Sequence, residues 1–486
     1  MFELTSLEIA QAIMKKKLTA VEVVCAYLAA IEKMDNKTNA FLSINPEYAL
    51  SRAAEVQKKL DAGEELSKLA GVPIAIKDNI STKRFKTTCA SKILADFEPI
   101  YDATVIEKLE KAGLIVIGKL NMDEFAMGGS SETGVFGAVK NPWDRTRVAG
   151  GSSGGSAAAV TADMIPLTLG SDTGGSIRQP CSFCGTSGIK PTYGAVSRYG
   201  LLAYASSLDQ IGPIGQNIVD CAALLEIISG QDGKDATCIL QKPFAFSEKF
   251  NNKLDGIKIG LPKNYFEKGI DEGVKKAVLS AAKMFEDAGA KISEFTMPYT
   301  EYTVPAYYII ASAEASSNLS RYDGVKYGYR CKKATTLNDV YRMSRNEGFG
   351  LEVKRRIMLG SFVLSSGYYD AYYKKAYNVR TLIKSAYEKL FERFDMILSP
   401  VAPTTAYRLG EKIDDPMKMY MGDIYTVSAN LAGLPAVSVP CGFDEQGLPV
   451  GLQLIGNQFC EAKLINAARV YQNITDWHSK RPGVGL

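Results

Sequence analysis

Histidine is all but missing from this chain: one residue, His478, among 486. It stands in the tail segment D-W-H-S-K-R-P-G, where a solvated side chain is its ordinary reading. A Ser-His-Asp or Cys-His machine, or a multi-histidine metal site, would have to rest on that residue alone. The chemistry is therefore read as one without imidazole. Strong charge is lacking too. The 57 Lys+Arg nearly balance 53 Asp+Glu, a net charge of +4, without the basic bias of a nucleic-acid binder. Any nucleic acid is expected to be held mainly by a partner. No run approaches ~18 uninterrupted apolar residues, so no membrane span is expected. The start, MFELTSLEIA, has neither the basic nor the apolar part of a signal peptide. Nine cysteines, an odd number at irregular spacing, indicate reduced thiols and a cytoplasmic setting. Cys181 and Cys184 form a C-S-F-C pair, but without a second pair they read as core packing, not zinc or redox chemistry. Neither G-K-[ST] nor G-x-G-x-x-G occurs, which leaves nucleotide binding with generic glycine content only.

What is present alternates between helix and strand patterns. Thr5 with Glu8, and Thr19 with Glu22, are capping-box pairs that open amphipathic runs. V-P-I-A-I-K-D-N reads as a short buried strand ending at Lys77, and 114–120 as another. Between them Asp102 can cap a helix carrying Val105, Leu109 and Ala112 and closed by Gly113. I-P-L-T-L (165–169) feeds a glycine-rich loop. Further on, G-I-K-I-G-L and A-K-I-S-E-F flank an amphipathic helix over 271–288, and P-A-V-S-V-P with L-P-V-G-L-Q-L-I-G reads as a hairpin about D-E-Q-G. The expected architecture is α/β: a large mixed, mostly parallel sheet with helices on both faces. One domain over residues 1–486 is expected, with N-terminal helices to about 60, a core at about 70–215, and a C-terminal part at about 255–486. The stretch 231–256 is the expected excursion from the core.

Two loops dominate: G-G-S-S-G-G-S (150–156) and G-S-D-T-G-G-S (170–176). A serine nucleophile needs small neighbours so that a carbonyl can approach the backbone. T-G-G-S fits, with the N–H groups of Thr173, Gly174, Gly175 and Ser176 as a candidate oxyanion hole. Without histidine the base is a lysine, which must be desolvated to be neutral near pH 7. Lys77, closing an apolar strand, is the candidate. Taken singly, Lys77 reads as a solvated charge, and Ser152 and Ser176 as loop formers.

In combination, G-V-P-I-A-I-K-D-N, G-G-S-S-G-G-S-A-A-A-V and G-S-D-T-G-G-S-I-R-Q-P resemble the amidase signature family. Lys77 and Ser152 are 75 residues apart, and Ser152 and Ser176 are 24 apart, as in that family. The resemblance implies the amidase signature fold and a Ser-cisSer-Lys triad of Ser176, Ser152 and Lys77. Ser153 is read as loop hydrogen bonding, and Asp172 as either orienting the second loop or capping its turn. Segments 118–128, 140–144, 188–194, 313–328, 352–360 and 430–442 are similar to one branch of the family, the glutamine-hydrolysing subunits of tRNA-dependent amidotransferases. That resemblance implies glutamine as substrate, its ammonium on Asp423 and its carboxylate on Arg356, with Tyr307 and Ser131 lining the pocket in the C-terminal part. No cofactor or metal is implied in this chain. A B subunit would hold Glu-tRNA(Gln) and use ATP with magnesium to amidate it, and a small C subunit would strap the two together. The alternative is a free-standing amidase acting on another small amide.

Overall fold

The apolar runs of the sequence become strands of one sheet. The computed structural model describes residues 2–246, 250–411 and 415–483. Its strands are β1 (Phe41–Ile44), β2 (Pro73–Lys77), β3 (Ile115–Leu120), β4 (Leu167–Asp172), β5 (Ser187–Lys190), β6 (Gln210–Gly215), β7 (Lys258–Pro262), β8 (Lys291–Phe295), β9 (Met396–Pro400), β10 (Ala436–Phe443) and β11 (Pro449–Gly456). They form an 11-stranded sheet in the order β1-β3-β2-β4-β6-β5-β10-β11-β9-β7-β8. Every residue of β2, β3, β4, β5 and β6 is buried, as continuous apolar runs covered on both faces require.

The sheet is mixed, but less parallel than the alternating pattern predicts. Parallel pairing is confined to β3–β2–β4 and to β8–β7–β9. The centre, β4–β6–β5–β10–β11–β9, is antiparallel throughout. The β10–β11 hairpin is where the sequence puts it, pairing Phe443 with Pro449. Its turn is held by Asp444 Oδ1, which accepts from Gln446 N (2.8 Å) and Leu448 N (2.9 Å).

Both capping boxes form. Thr5 and Thr19 start the helices Ser6–Met14 and Ala20–Thr38, each accepting from the N3 amide while Glu8 or Glu22 reaches back. Two local expectations move. The helix Thr104–Lys111 starts from Ala103 with no side-chain cap, because the Asp102 carboxylate turns instead to Lys83 N (2.6 Å). β4 begins later than 165 and runs on to Asp172, carrying backbone order into the glycine loop. Residues 231–246 and 250–256 contain neither helix nor strand. Cys181 and Cys184 are buried in the helix Arg178–Cys184. Among the described residues no helix is long and apolar enough to cross a membrane.

Candidate active site

β2 and β4 are parallel neighbours, with Ile76 opposite Leu169, so their C-terminal ends open on the same side of the sheet. Lys77 is the last residue of β2 and Asp172 the last of β4. The glycine-serine loops cross these ends and enter two short helices, Gly154–Thr161 and Arg178–Cys184. Ser153 N donates to Ser176 O (3.2 Å) and so ties one loop to the other.

Lys77 is fully buried. Its Nζ lies 2.7 Å from Ser152 Oγ, 2.8 Å from Ser153 Oγ and 3.3 Å from Ser171 O. Burial pulls the amine from its usual 10.5 down to about 7, while Asp123, Asp172 and Asp209 pull the other way. That drop corresponds to roughly 5 kcal/mol against the ammonium, enough to populate a neutral base near pH 7.

Ser153 thus sits at the lysine, a position the sequence did not disclose. A neutral amine has two N–H donors and one lone pair. Ser171 O can only accept. Ser153 Oγ accepts from Ser171 N (3.3 Å) and donates to Ser171 O (3.1 Å), so toward Lys77 it is an acceptor. Both lysine hydrogens are then placed, and the lone pair faces Ser152. The peptide Gly151–Ser152 is cis. A Cβ at Gly151 would overlap the Asp123 carboxylate, which holds the preceding turn through Ser130 N (3.2 Å) and Glu132 N (3.2 Å).

Ser176 is 8% exposed, and among the described residues its hydroxyl has no hydrogen bond. The turn before it is organised by Asp172, fully buried, which accepts from Gly175 N (2.8 Å), Ile177 N (3.2 Å) and Asn430 Nδ2 (2.8 Å) and pairs with buried Arg178 (3.1 Å). The Arg178 guanidinium holds the Asp172 carboxyl far below the carboxylate range against burial. Asp172 therefore both caps the turn and orients it. One expectation changes: the Gly175 N–H is taken by Asp172, while those of Thr173, Gly174 and Ser176 have no partner among the described residues. Gly175 serves by conformation, at φ +132 with Thr426 Oγ1 2.5 Å from where a Cβ would lie. Thr173 is itself anchored, its hydroxyl donating to Asp209 Oδ1 (2.7 Å).

Above this turn the helix Thr300–Asn318 brings Tyr307, buried, with its phenol against Gly174. The helix Leu351–Leu364 brings Arg356, 3% exposed. Its Nε donates to Glu352 Oε1 (2.8 Å), its Nη1 to the Tyr204 hydroxyl, and its cation lies 5.0 Å from the Tyr308 ring centre. Its Nη2 has no hydrogen bond among the described residues. Asp423, half-buried, accepts from the Tyr308 hydroxyl (2.7 Å). Burial raises its carboxyl to about 7, with Tyr308 and Arg356 opposing. Ser131 is placed differently from the others. Fully buried, it accepts from Gly154 N (3.0 Å) and reaches Ser152 O (3.4 Å). It supports the serine loop instead of lining the pocket, because its φ of 59 turns the side chain inward.

Among the described residues no three His, Cys, Asp or Glu side chains are grouped to hold a metal ion. The Amidase family model matches residues 22–465. The chain is 57% identical to the A subunit of glutamyl-tRNA(Gln) amidotransferase from Agathobacter rectalis over 472 residues, 97% of this chain and 94% of that one. It is 52% identical to the protein of that name from Thermoanaerobacter pseudethanolicus, over 100% of this chain and 99% of the relative. The crystal structure of the same amidotransferase's A subunit from Thermotoga maritima superposes with a TM-score of 0.80 at 43% identity, covering 98% of this chain and 96% of that one. The chain belongs to the amidase signature family.

Proposed function

We propose that this chain is the glutaminase subunit of a tRNA-dependent amidotransferase, hydrolysing glutamine to supply ammonia. The observation that carries this reading is the Lys77 Nζ–Ser152 Oγ contact of 2.7 Å beneath a turn with free N–H groups, in a pocket that also holds a cation and a carboxylate. Free glutamine is zwitterionic: Asp423 takes its ammonium, and Arg356 Nη2 takes its carboxylate. Neutral Lys77 accepts the Ser152 proton as Ser152 accepts that of Ser176. Ser176 Oγ attacks the side-chain amide carbon, and the oxyanion rests on the N–H groups of Thr173, Gly174 and Ser176. The relayed proton leaves with ammonia as the C–N bond breaks. Water then hydrolyses the glutamyl ester, releasing glutamate and restoring Ser176. The relatives' names support the larger assembly: a B subunit holding Glu-tRNA(Gln), with ATP and magnesium, and a C subunit joining the two. The near-neutral net charge agrees with tRNA being held elsewhere.

The test is amidation of Glu-tRNA(Gln) by the reconstituted complex, wild type against Ser176→Ala, with glutamine or ammonium chloride as donor. The variant should lose the glutamine-driven reaction and keep the ammonium-driven one. A wild type that hydrolyses simple amides but forms Gln-tRNA(Gln) from neither donor would make it a free-standing amidase.

A further inference from the structure

Tyr204–Asp209 runs between the two halves of the site. At one end the Tyr204 hydroxyl accepts from Arg356 Nη1, and the Tyr204 ring lies 5.5 Å from the guanidinium carbon. At the other, Asp209 Oδ1 accepts the Thr173 hydroxyl at 2.7 Å. Asp209 Oδ2 closes the segment on itself, accepting from Tyr204 N and Ala205 N, both at 3.0 Å. Its middle is fixed from outside. Ser207 N donates to Glu314 Oε2 (2.9 Å), Arg380 Nη1 to Ser207 Oγ (2.8 Å) and Asn318 Nδ2 to Tyr204 O (3.1 Å). Tyr204, Ala205, Leu208 and Asp209 are all at most 2% exposed. A segment so closed and so buried moves as a unit. A ligand drawing on Arg356 Nη2 therefore acts, through Nη1 and Tyr204, on the Asp209 carboxylate that holds Thr173.

We propose that Tyr204–Asp209 is a positioning strap that couples the carboxylate-binding arm of the pocket to the oxyanion turn. It rests on the glutamine reading above and adds a specificity rule. Amides bearing an α-carboxylate are favoured in the chemical step, not only in binding, because the remote contact is used where charge develops. The strap residues touch no reacting atom.

The experiment measures kcat and KM for L-glutamine and for butyramide, which has no carboxylate, in the full chain assembled with its partner subunits. Tyr204→Phe should lower kcat for glutamine about tenfold with KM within about threefold, and lower the glutamine-to-butyramide kcat ratio by a similar factor. Thr173→Val should slow both amides, and Thr173→Ser should restore them. The double variant should be no slower on glutamine than Thr173→Val alone, since both changes interrupt one path. Losses that multiply, or a Tyr204→Phe effect confined to KM, would overturn the strap. A wild type that turns over butyramide but not glutamine would overturn the glutamine reading and the strap together.

Discussion

Two lysines on adjacent parallel strands make the useful comparison. Lys77 ends β2 and Lys119 is the penultimate residue of β3, paired across from Ile76. Both are completely buried, and burial lowers the pKa of both. Their partners differ. Lys119 Nζ sits 3.5 Å from the Asp78 carboxylate and donates to Ile80 O (2.7 Å) and Thr87 Oγ1 (2.8 Å). Lys77 has no carboxylate in ion-pair contact among the described residues, only two hydroxyls and a carbonyl. A paired buried ammonium is a structural charge, and an unpaired one surrounded by neutral acceptors is a base in waiting.

The sharpest break of the comparison is Lys77→Met, which removes the base but leaves no orphaned partner. Glutaminase kcat should fall about 10³-fold or more, while urea unfolding should place stability within about 1 kcal/mol of wild type. Lys119→Met should do the reverse. It strands Asp78, already pushed up by burial, and should cost about 3–5 kcal/mol in the same unfolding assay. Its kcat per folded molecule should stay within about twofold of wild type. A large kcat loss in Lys119→Met with stability unchanged would dissolve the distinction.

Ser153→Ala sharpens it further. It deletes an acceptor that orients the lysine lone pair, at about the worth of one hydrogen bond, so kcat should drop roughly tenfold with KM nearly constant. An unchanged kcat would remove Ser153 from the relay.

The smallest effect is in pH. A base with its pKa at about 7 is active when neutral, so kcat should rise with pH through that value, by about threefold from 6.5 to 7.5. Asp423 also titrates at about 7, and it must be ionised to hold an ammonium, so the KM for glutamine should fall across the same window. Asp423→Asn should abolish the KM change and leave the kcat limb. A kcat flat from 6 to 8 would rule out Lys77 as the titrating base.

Much of the fold was legible because its signals are local. The capping boxes, the buried strands at 73–77 and 115–120, and the 436–456 hairpin each follow from a few neighbouring residues. The antiparallel centre was not, because pairing direction depends on where distant strands insert. Within the site, the three catalytic candidates were visible as segments. Ser153 at the lysine, the taking of the Gly175 N–H by Asp172, and the inward turn of Ser131 were not, since each is a choice among equivalent hydrogen-bonding atoms. The Asp209 anchor left one hint, a carboxylate in an otherwise apolar approach to β6.

By itself the sequence determined which residue types were available: one histidine, two glycine-serine loops, and lysines closing apolar strands. That was enough to exclude imidazole chemistry and to nominate a lysine-activated serine. Only the tertiary structure decided which lysine is unpaired, which serine its lone pair faces, and which amides remain free. Desolvation and hydrogen-bond direction depend on everything within a few ångströms of an atom, and those neighbours come from remote parts of the chain.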